Sequence, residues 1–314
     1  MPRISVILPC HNGGHTIDEA LQSLVSQTYR DLEILVRDDG SDDDSSRIIR
    51  QHAEKDSRIK LSSSPKSGIV ASMNSLIDEA SGEFIARMDA DDIAHPTRLE
   101  RQLDLMVSNP TVAVAGSWVR TFGYRHETWH CSPFDNKIKN QLMLGVTPLC
   151  HPTWLVRAET YQATRYDKAY EYIEDREWLT RVFYTYPALE FSAVPEVLLH
   201  YRTHDKSITA NHAALQKQKT EGIVRTLLLK LGVVLPDELM DFHLFLCGLH
   251  DRVPAAGLFF KNMLALHASL QNRLQDEHKV FALRALECAR RLKLDTNDIE
   301  NMRIELGVSD FWKK

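Results

Sequence analysis

The sequence predicts an α/β fold with a mostly parallel sheet over residues 1–207, followed by an α-helical region over residues 208–314. Three observations predict it. Short apolar runs alternate with amphipathic segments of helical spacing through the first 117 residues, the rhythm of βαβ units. Polar clusters follow the first, second and fourth apolar runs, and in a parallel sheet those positions share one edge. Beyond residue 208 the apolar residues recur almost throughout at helical intervals.

Taken in order, Ile4-Ser5-Val6-Ile7-Leu8 reads as a buried strand stopped by Pro9, and Asn12-Gly13-Gly14 as a turn. Ile17, Ala20, Leu21, Leu24 and Val25 predict a helix, with Thr16 and Glu19 spaced as a capping box. Leu32–Val36 is the second strand, ended by Asp38-Asp39-Gly40-Ser41-Asp42. A helix over Ser45–Ala53, a short strand over Arg58–Leu61 and a helix over Gly68–Ala80 lead to the fourth strand, the short apolar run that opens at Phe84. A helix from about Pro96 to Val107 and a strand over Val112–Ala115 complete the regular pattern. Trp118–Trp129 then reads as antiparallel strands, Asp135–Met143 as a helix, and His151–Val156 as loop then strand. Tyr172–Phe183 has helical spacing with Glu174 and Asp175 in its first turn, and Val197–Arg202 is a strand leading into Thr203-His204-Asp205-Lys206-Ser207. Helices are expected at Ala213–Leu231, Pro236–Leu249, Pro254–Leu274, Asp276–Leu292 and Asn297–Leu306.

Composition narrows the class. Hydrophobic residues make up 43% and charged residues 26%, as in a soluble globular protein, and the formal net charge of -5 gives no global field for nucleic acid. The five cysteines form no C-x-x-C pair, which argues for a reducing, cytoplasmic compartment and against a zinc site. No apolar run reaches the ~18 residues of a membrane span, and Met1-Pro2-Arg3 runs into a strand with no signal segment. Leu258, Phe259, Phe260, Leu264 and Leu266 suit the core of the helical region or, alternatively, a surface lying on a membrane. Arg290, Arg291 and Lys293, with Lys313 and Lys314, form a weak basic patch suited to peripheral contact with an anionic membrane face.

The stretch Phe84-Ile85-Ala86-Arg87-Met88-Asp89-Ala90-Asp91-Asp92 carries the chemistry. Three carboxylates within four residues repel, and a divalent cation relieves that repulsion while leaving room for phosphate oxygens. The competing reading is an acidic cap on the helix that starts near His95-Pro96-Thr97.

These clusters, in this order, resemble the family 2 inverting glycosyltransferases of the GT-A fold. The resemblance rests on Val6–Asn12, Val36–Ser41, Gly82–Asp92, Ile173-Glu174-Asp175 and Leu199–His204, and covers roughly residues 1–210. More narrowly, Ala86–Ala94 is similar to bacterial lipooligosaccharide β-1,3-N-acetylglucosaminyltransferases. The resemblance implies a Rossmann-like catalytic domain and a UDP-sugar donor. Pro9, His11 and Asn12 would flank the base, and Asp39 would accept a hydrogen bond from uracil N3–H. Asp89 would lie near the ribose or a metal-bound water, Asp91 and His204 would hold Mn²⁺ or Mg²⁺, and Lys66 would meet phosphate or base. Asp175 would be the general base that deprotonates an acceptor hydroxyl on a glycan or glycolipid. The expected activity is transfer of N-acetylglucosamine to galactose in bacterial surface glycan synthesis. Other donors (glucose, galactose or N-acetylgalactosamine) and a non-catalytic sugar-nucleotide binder remain alternatives.

The chain departs from that pattern at three places. His11 replaces a common tyrosine, Lys66 a common asparagine, and Arg37 an apolar residue. Trp154 and Trp178 would suit either a sugar face or the core, and His151 either an acceptor contact or a His-Pro corner. Nucleotidyl transfer is disfavoured, because Pro9–Gly14 lacks the basic, glycine-rich loop that holds a triphosphate.

Overall fold

The computed structural model describes residues 2–204, 212–251, 255–271, 278–306 and 308. Residues 205–207, the expected boundary after 207, and the basic residues 313 and 314 lie outside the described residues. The chain divides into two compact units, Met1–Ile138 with Thr147–Ala213, and Lys139–Val146 with Ala214–Lys314.

The first unit is built on one sheet. β1 (Ile4–Cys10) is buried at every position and pairs in parallel with β2 (Leu32–Asp39) and β4 (Phe84–Arg87), so that Val6 lies between Ile34 and Ala86. Burial on both faces explains why these strands read as apolar runs rather than alternations. β3 (Ile59–Ser64) pairs in parallel with β2. Among the described residues the strand order is β3-β2-β1-β4-β8-β6-β9-β5, with β7 beside β6. β5 is Ile93–Ala94, β6 Val112–Gly123, β7 Thr128–Trp129, β8 Leu155–Arg157 and β9 Glu190–Thr203. β8 runs antiparallel to β4 and β6, whereas β9 runs parallel to β6. Helices α1 (Ile17–Val25), α2 (Ser45–Ala53), α3 (Ile69–Glu79) and α4 (Arg98–Ser108) connect the strands, followed by α5 (Asp135–Met143), α6 (Ala158–Ala163) and α7 (Glu174–Thr185).

Local expectations are corrected where tertiary pairing intervenes. The strand Val112–Ala115 and the first half of the Trp118 hairpin are one strand, β6. The strand expected at Val197 begins at Glu190 and passes through Pro195. The register shifts there, Ser117 pairing with Val194 and Trp118 with Val197, so Pro195 sits in a bulge where no ladder bond is required. Thr16 makes no cap bond through its side chain. Its hydroxyl donates to the Gly13 carbonyl, and Glu19 pairs with Arg202 instead. α7 starts at Glu174, because Tyr172 has φ +76° and cannot belong to a right-handed helix.

The second unit contains α8 (Ala213–Lys230), α9 (Asp237–Leu246), α10 (Ala256–Gln271), α11 (His278–Arg291) and α12 (Thr296–Glu305). Val224, Leu227, Leu244, Phe259 and Phe281 are buried there, and Phe242 meets Phe259 edge-on at 5.1 Å. Phe259 and Leu266 are core, and Leu258 alone of the expected α10 surface set is strongly exposed, at 46%. No described helix is long and apolar enough to cross a membrane.

Candidate functional site

Parallel pairing places the ends of β1, β2 and β4 at one edge of the sheet, and the polar loops that follow them gather there. The first two loops are bonded to each other. The Asn12 N–H donates to Ser41 Oγ at 2.9 Å, the Asp42 N–H to Asn12 Oδ1 at 3.0 Å, and the Gly14 N–H to Asp43 Oδ2 at 2.8 Å. Asn12 sits at φ +52°, a conformation asparagine tolerates better than most residues. His11 is exposed and Pro9 is buried in β1. Asp39 is buried, and its carboxylate accepts from Ser67 N–H (2.8 Å), Ser67 Oγ (2.7 Å) and Gly68 N–H (2.9 Å). Burial would raise its pKa, but the Ser67 and Gly68 bonds outweigh this and hold the carboxyl below its usual range. Gly40, at φ +69°, lets the backbone pass Lys66, where a Cβ would come within 2.7 Å of the Lys66 nitrogen.

The loop after β4 is different in kind. Oxygens of Asp89, Asp91 and Asp92 lie within 4.8 Å of one another. Asp89 is gripped by two contacts of 2.5 Å from the buried Arg87 guanidinium. Burial opposes the charge on Arg87, but the Asp89 carboxylate more than compensates, and its pKa is raised. Asp92 is fully buried, its Oδ1 accepting the Arg202 N–H at 2.9 Å and its Oδ2 having no partner among the described residues. Burial, then repulsion from Asp89, pushes both Asp91 and Asp92 above the usual carboxylate range. His204 closes the group, its Nε2 3.4 Å from Asp91 Oδ2. These aspartates are not a helix cap. They precede β5, and α4 starts beyond them at Arg98, with Thr97 at its N-cap. Oxygen donors, crowded like charge and an orphaned buried oxygen fit a hard divalent cation.

Glu174 and Asp175 occupy the first turn of α7, as expected. Asp175 is half-buried and accepts the Arg176 N–H at 2.7 Å. Glu174 is buried with Oε2 unpartnered, and burial, followed by the Asp175 charge, raises it to about 7. The charge of Arg87 also reaches Glu174, so one buried cation lies in the field of both acidic groups.

A family model described as glycosyl transferase family 2 matches residues 5–164, just over half of the chain. An uncharacterised glycosyltransferase of Haemophilus influenzae is 30% identical over 238 residues, covering 71% of this chain and 72% of the relative. The chain belongs to glycosyltransferase family 2. It is 27% identical over 206 residues to the O-antigen biosynthesis glycosyltransferase WbnJ of Escherichia coli, covering 65% of this chain and 81% of that one. Among solved structures, Staphylococcus aureus TarS 1–349 in complex with UDP-GlcNAc superposes with a TM-score of 0.62 at 18% identity, covering 96% and 89% of the two chains. The fold is GT-A, and this family 2 protein is an enzyme of the hexosyltransferase class.

The expected site residues of this transferase fall into three groups. Pro9 near the end of β1 is followed by His11 and Asn12 in the first loop, Asp39 is tied to the residues after Lys66, and Asp89, Asp91 and His204 meet around the acidic cluster. Trp154 and Trp178 are fully buried with rings 5.5 Å apart, so both belong to the core. His151 is buried and bonded to the Tyr166 hydroxyl at 2.8 Å, which makes it the His-Pro corner. Two contributors escaped the sequence reading. Asp92 was visible only as a third repelling charge. Arg87 carried a signal that was not used, a cation inside an apolar strand two residues before an aspartate, which burial allows only with a partner.

Proposed function

We propose that this protein transfers N-acetylglucosamine from a UDP-sugar to a galactose hydroxyl with inversion, forming a β-1,3 linkage during synthesis of a bacterial surface glycan such as lipooligosaccharide. The observation that carries the reading is the Asp89–Asp91–Asp92 cluster with His204 3.4 Å from Asp91, set at the carboxyl edge of the parallel strands of a family 2 chain. The WbnJ relative supports the surface-glycan context, and the TarS complex supports the UDP-N-acetylglucosamine donor.

The roles follow from chemistry. The first two loops hold the uridine, with Pro9, His11 and Asn12 beside the base. Asp39, held in place by its bonds to Ser67 and Gly68, would accept uracil N3–H. Lys66 lies next to that carboxylate's partners and supplies a positive charge. Asp91, Asp92 and His204 would hold Mn²⁺ or Mg²⁺, and Arg87 holds the Asp89 carboxylate in place, beside where the ribose would lie. The bound cation supplies charge neutralisation for the departing diphosphate. Asp175 takes the proton from the acceptor hydroxyl as its oxygen attacks the anomeric carbon, so a single displacement inverts that centre. Glu174, protonated below about pH 7, keeps a second negative charge away from that base.

The test is UDP release with Mn²⁺ across a panel of UDP-sugars, with lactose as acceptor, for the natural protein and Asp175→Asn. Lactose-dependent release from UDP-N-acetylglucosamine, lost in the variant, is the expected result. Release from a different UDP-sugar would overturn the donor assignment, and no binding of UDP would overturn the nucleotide-sugar reading.

A further inference from the structure

With Trp154 and Trp178 closed off in the core, the sugar-stacking role they offered in the sequence passes to another tryptophan. Trp129 of β7 pairs with Val119 of β6, and Thr121 of β6 pairs with Tyr201 of β9. Paired residues and alternate residues share a face of a sheet, so Val119, Thr121, Trp129 and Tyr201 all point the same way. The Trp129 and Tyr201 rings meet at 5.3 Å, tilted by 42°. Val119 and Thr121 are buried, whereas Trp129 and Tyr201 are only partly buried, packing against the core that contains Val119. Arg202, the residue after Tyr201 in β9, donates its N–H to Asp92 Oδ1 at 2.9 Å, which sets this end of β9 against the acidic cluster.

The turn of the hairpin that carries Trp129 is tied to the end of β9. The Tyr124 N–H donates to the Thr203 carbonyl at 3.0 Å, the Arg125 N–H to Thr203 Oγ1 at 2.8 Å, and Thr203 Oγ1 to the Phe122 carbonyl at 2.8 Å. Gly123, at φ +86°, permits this approach, since a Cβ there would lie 2.6 Å from the Thr203 oxygen. Thr203 directly precedes His204, so the hairpin is tied to the acidic cluster by one residue of chain. The indole N–H of Trp129 is satisfied by Glu127 Oε2 at 3.2 Å, which leaves the ring face as the group on offer.

A half-open, immobilised indole beside carboxylates complements a pyranose, which has an apolar C–H face and a rim of hydroxyls. We propose that Trp129, backed by Tyr201, is a pyranose-stacking subsite beside the acidic cluster of this transferase. The inference rests on the sugar-nucleotide reading above and assigns part of its sugar recognition. The pyranose is that of the donor or that of the acceptor, and the experiment separates the two.

Calorimetric titration of the full chain with UDP and with UDP-N-acetylglucosamine, and the KM for lactose, would be measured for the natural protein, Trp129→Ala and Trp129→Phe. The expected result is unchanged UDP affinity in Trp129→Ala with about a tenfold loss toward one sugar, recovered largely by Trp129→Phe. Loss confined to the UDP-sugar assigns the subsite to the donor, and loss confined to the lactose KM assigns it to the acceptor. Unchanged values for both sugars would overturn the subsite and leave the transferase reading standing. Equal loss of UDP binding in Trp129→Ala and Trp129→Phe would show a merely structural tryptophan and overturn it too. Absence of UDP binding by the natural protein would overturn both readings together.

Discussion

The loops after β1 and β2 and the loop after β4 lie at the same sheet edge, yet they handle their carboxylates in opposite ways. In the first two, acidic and amide side chains accept from backbone within the chain, Asp39 from Ser67 and Gly68 and Asn12 from Asp42, and the Asn12 N–H donates to the Ser41 hydroxyl. In the third, three carboxylates crowd together, one buried oxygen has no partner among the described residues, and Arg87 pairs directly with Asp89. A satisfied loop is preorganised and keeps its shape whether or not a ligand is bound. A frustrated one holds its charges together at a cost that a cation removes. The difference suggests a division of labour in which the first two loops recognise and the third loop binds charge.

The largest effect is expected away from both, at Asp175, the proposed base. Asp175→Asn should lower kcat by about 10²–10⁴-fold with UDP affinity retained, read by UDP release and by calorimetry. Loss of UDP affinity as well would place Asp175 among the binding groups. On the frustrated loop, Mn²⁺ should raise the Tm of the natural protein, and Asp92→Asn should abolish that rise while relieving repulsion and raising the metal-free Tm. A variant that is no more stable without metal would show that the carboxylates are not in conflict. On the satisfied side, Asp39→Ala should cost about 1–3 kcal/mol in urea denaturation, because it orphans the Ser67 and Gly68 donors, and should also weaken UDP binding. An unchanged midpoint would remove the contrast between the loops.

A pH test sharpens the comparison at α7. Glu174 is raised from 4.5 to about 7, chiefly by burial and then by Asp175, so the folded state binds the extra proton between those values. Stability is therefore full below about pH 4.5 and falls as pH rises through about 7. Glu174→Gln should flatten that decline in denaturation midpoints measured from pH 4.5 to 8. The smallest effect is expected at Asn12→Ala. It places a less tolerant residue at φ +52° and loses the bond to Asp42, so about 1 kcal/mol should be lost with little change in kcat.

Much of this molecule was legible because its signals are local. Burial on both faces makes β1, β2 and β4 apolar runs, and helical spacing placed α2 and α5 at their observed bounds. The polar clusters after those strands pointed to one sheet edge because parallel strands end together. What stayed hidden depended on partners distant in sequence. Glu19 had the spacing of a capping box, but Arg202, 183 residues away, claims it. Trp154 and Trp178 suited either a sugar face or the core, since aromatic identity says nothing of exposure, and only their burial assigns them to the core.

The sequence by itself determined the strand–helix rhythm, the acidic stretch and its chemical type, because periodicity and charge density are properties of neighbouring residues. Only the tertiary structure decided that β9 runs through Pro195 in a bulge, that Asp92 rather than Asp89 carries the orphaned oxygen, and that Arg87 clamps Asp89 within electrostatic reach of Glu174. Each of those is settled by which groups meet across the sheet, and burial makes an unmet charge or hydrogen bond expensive only once that meeting is fixed.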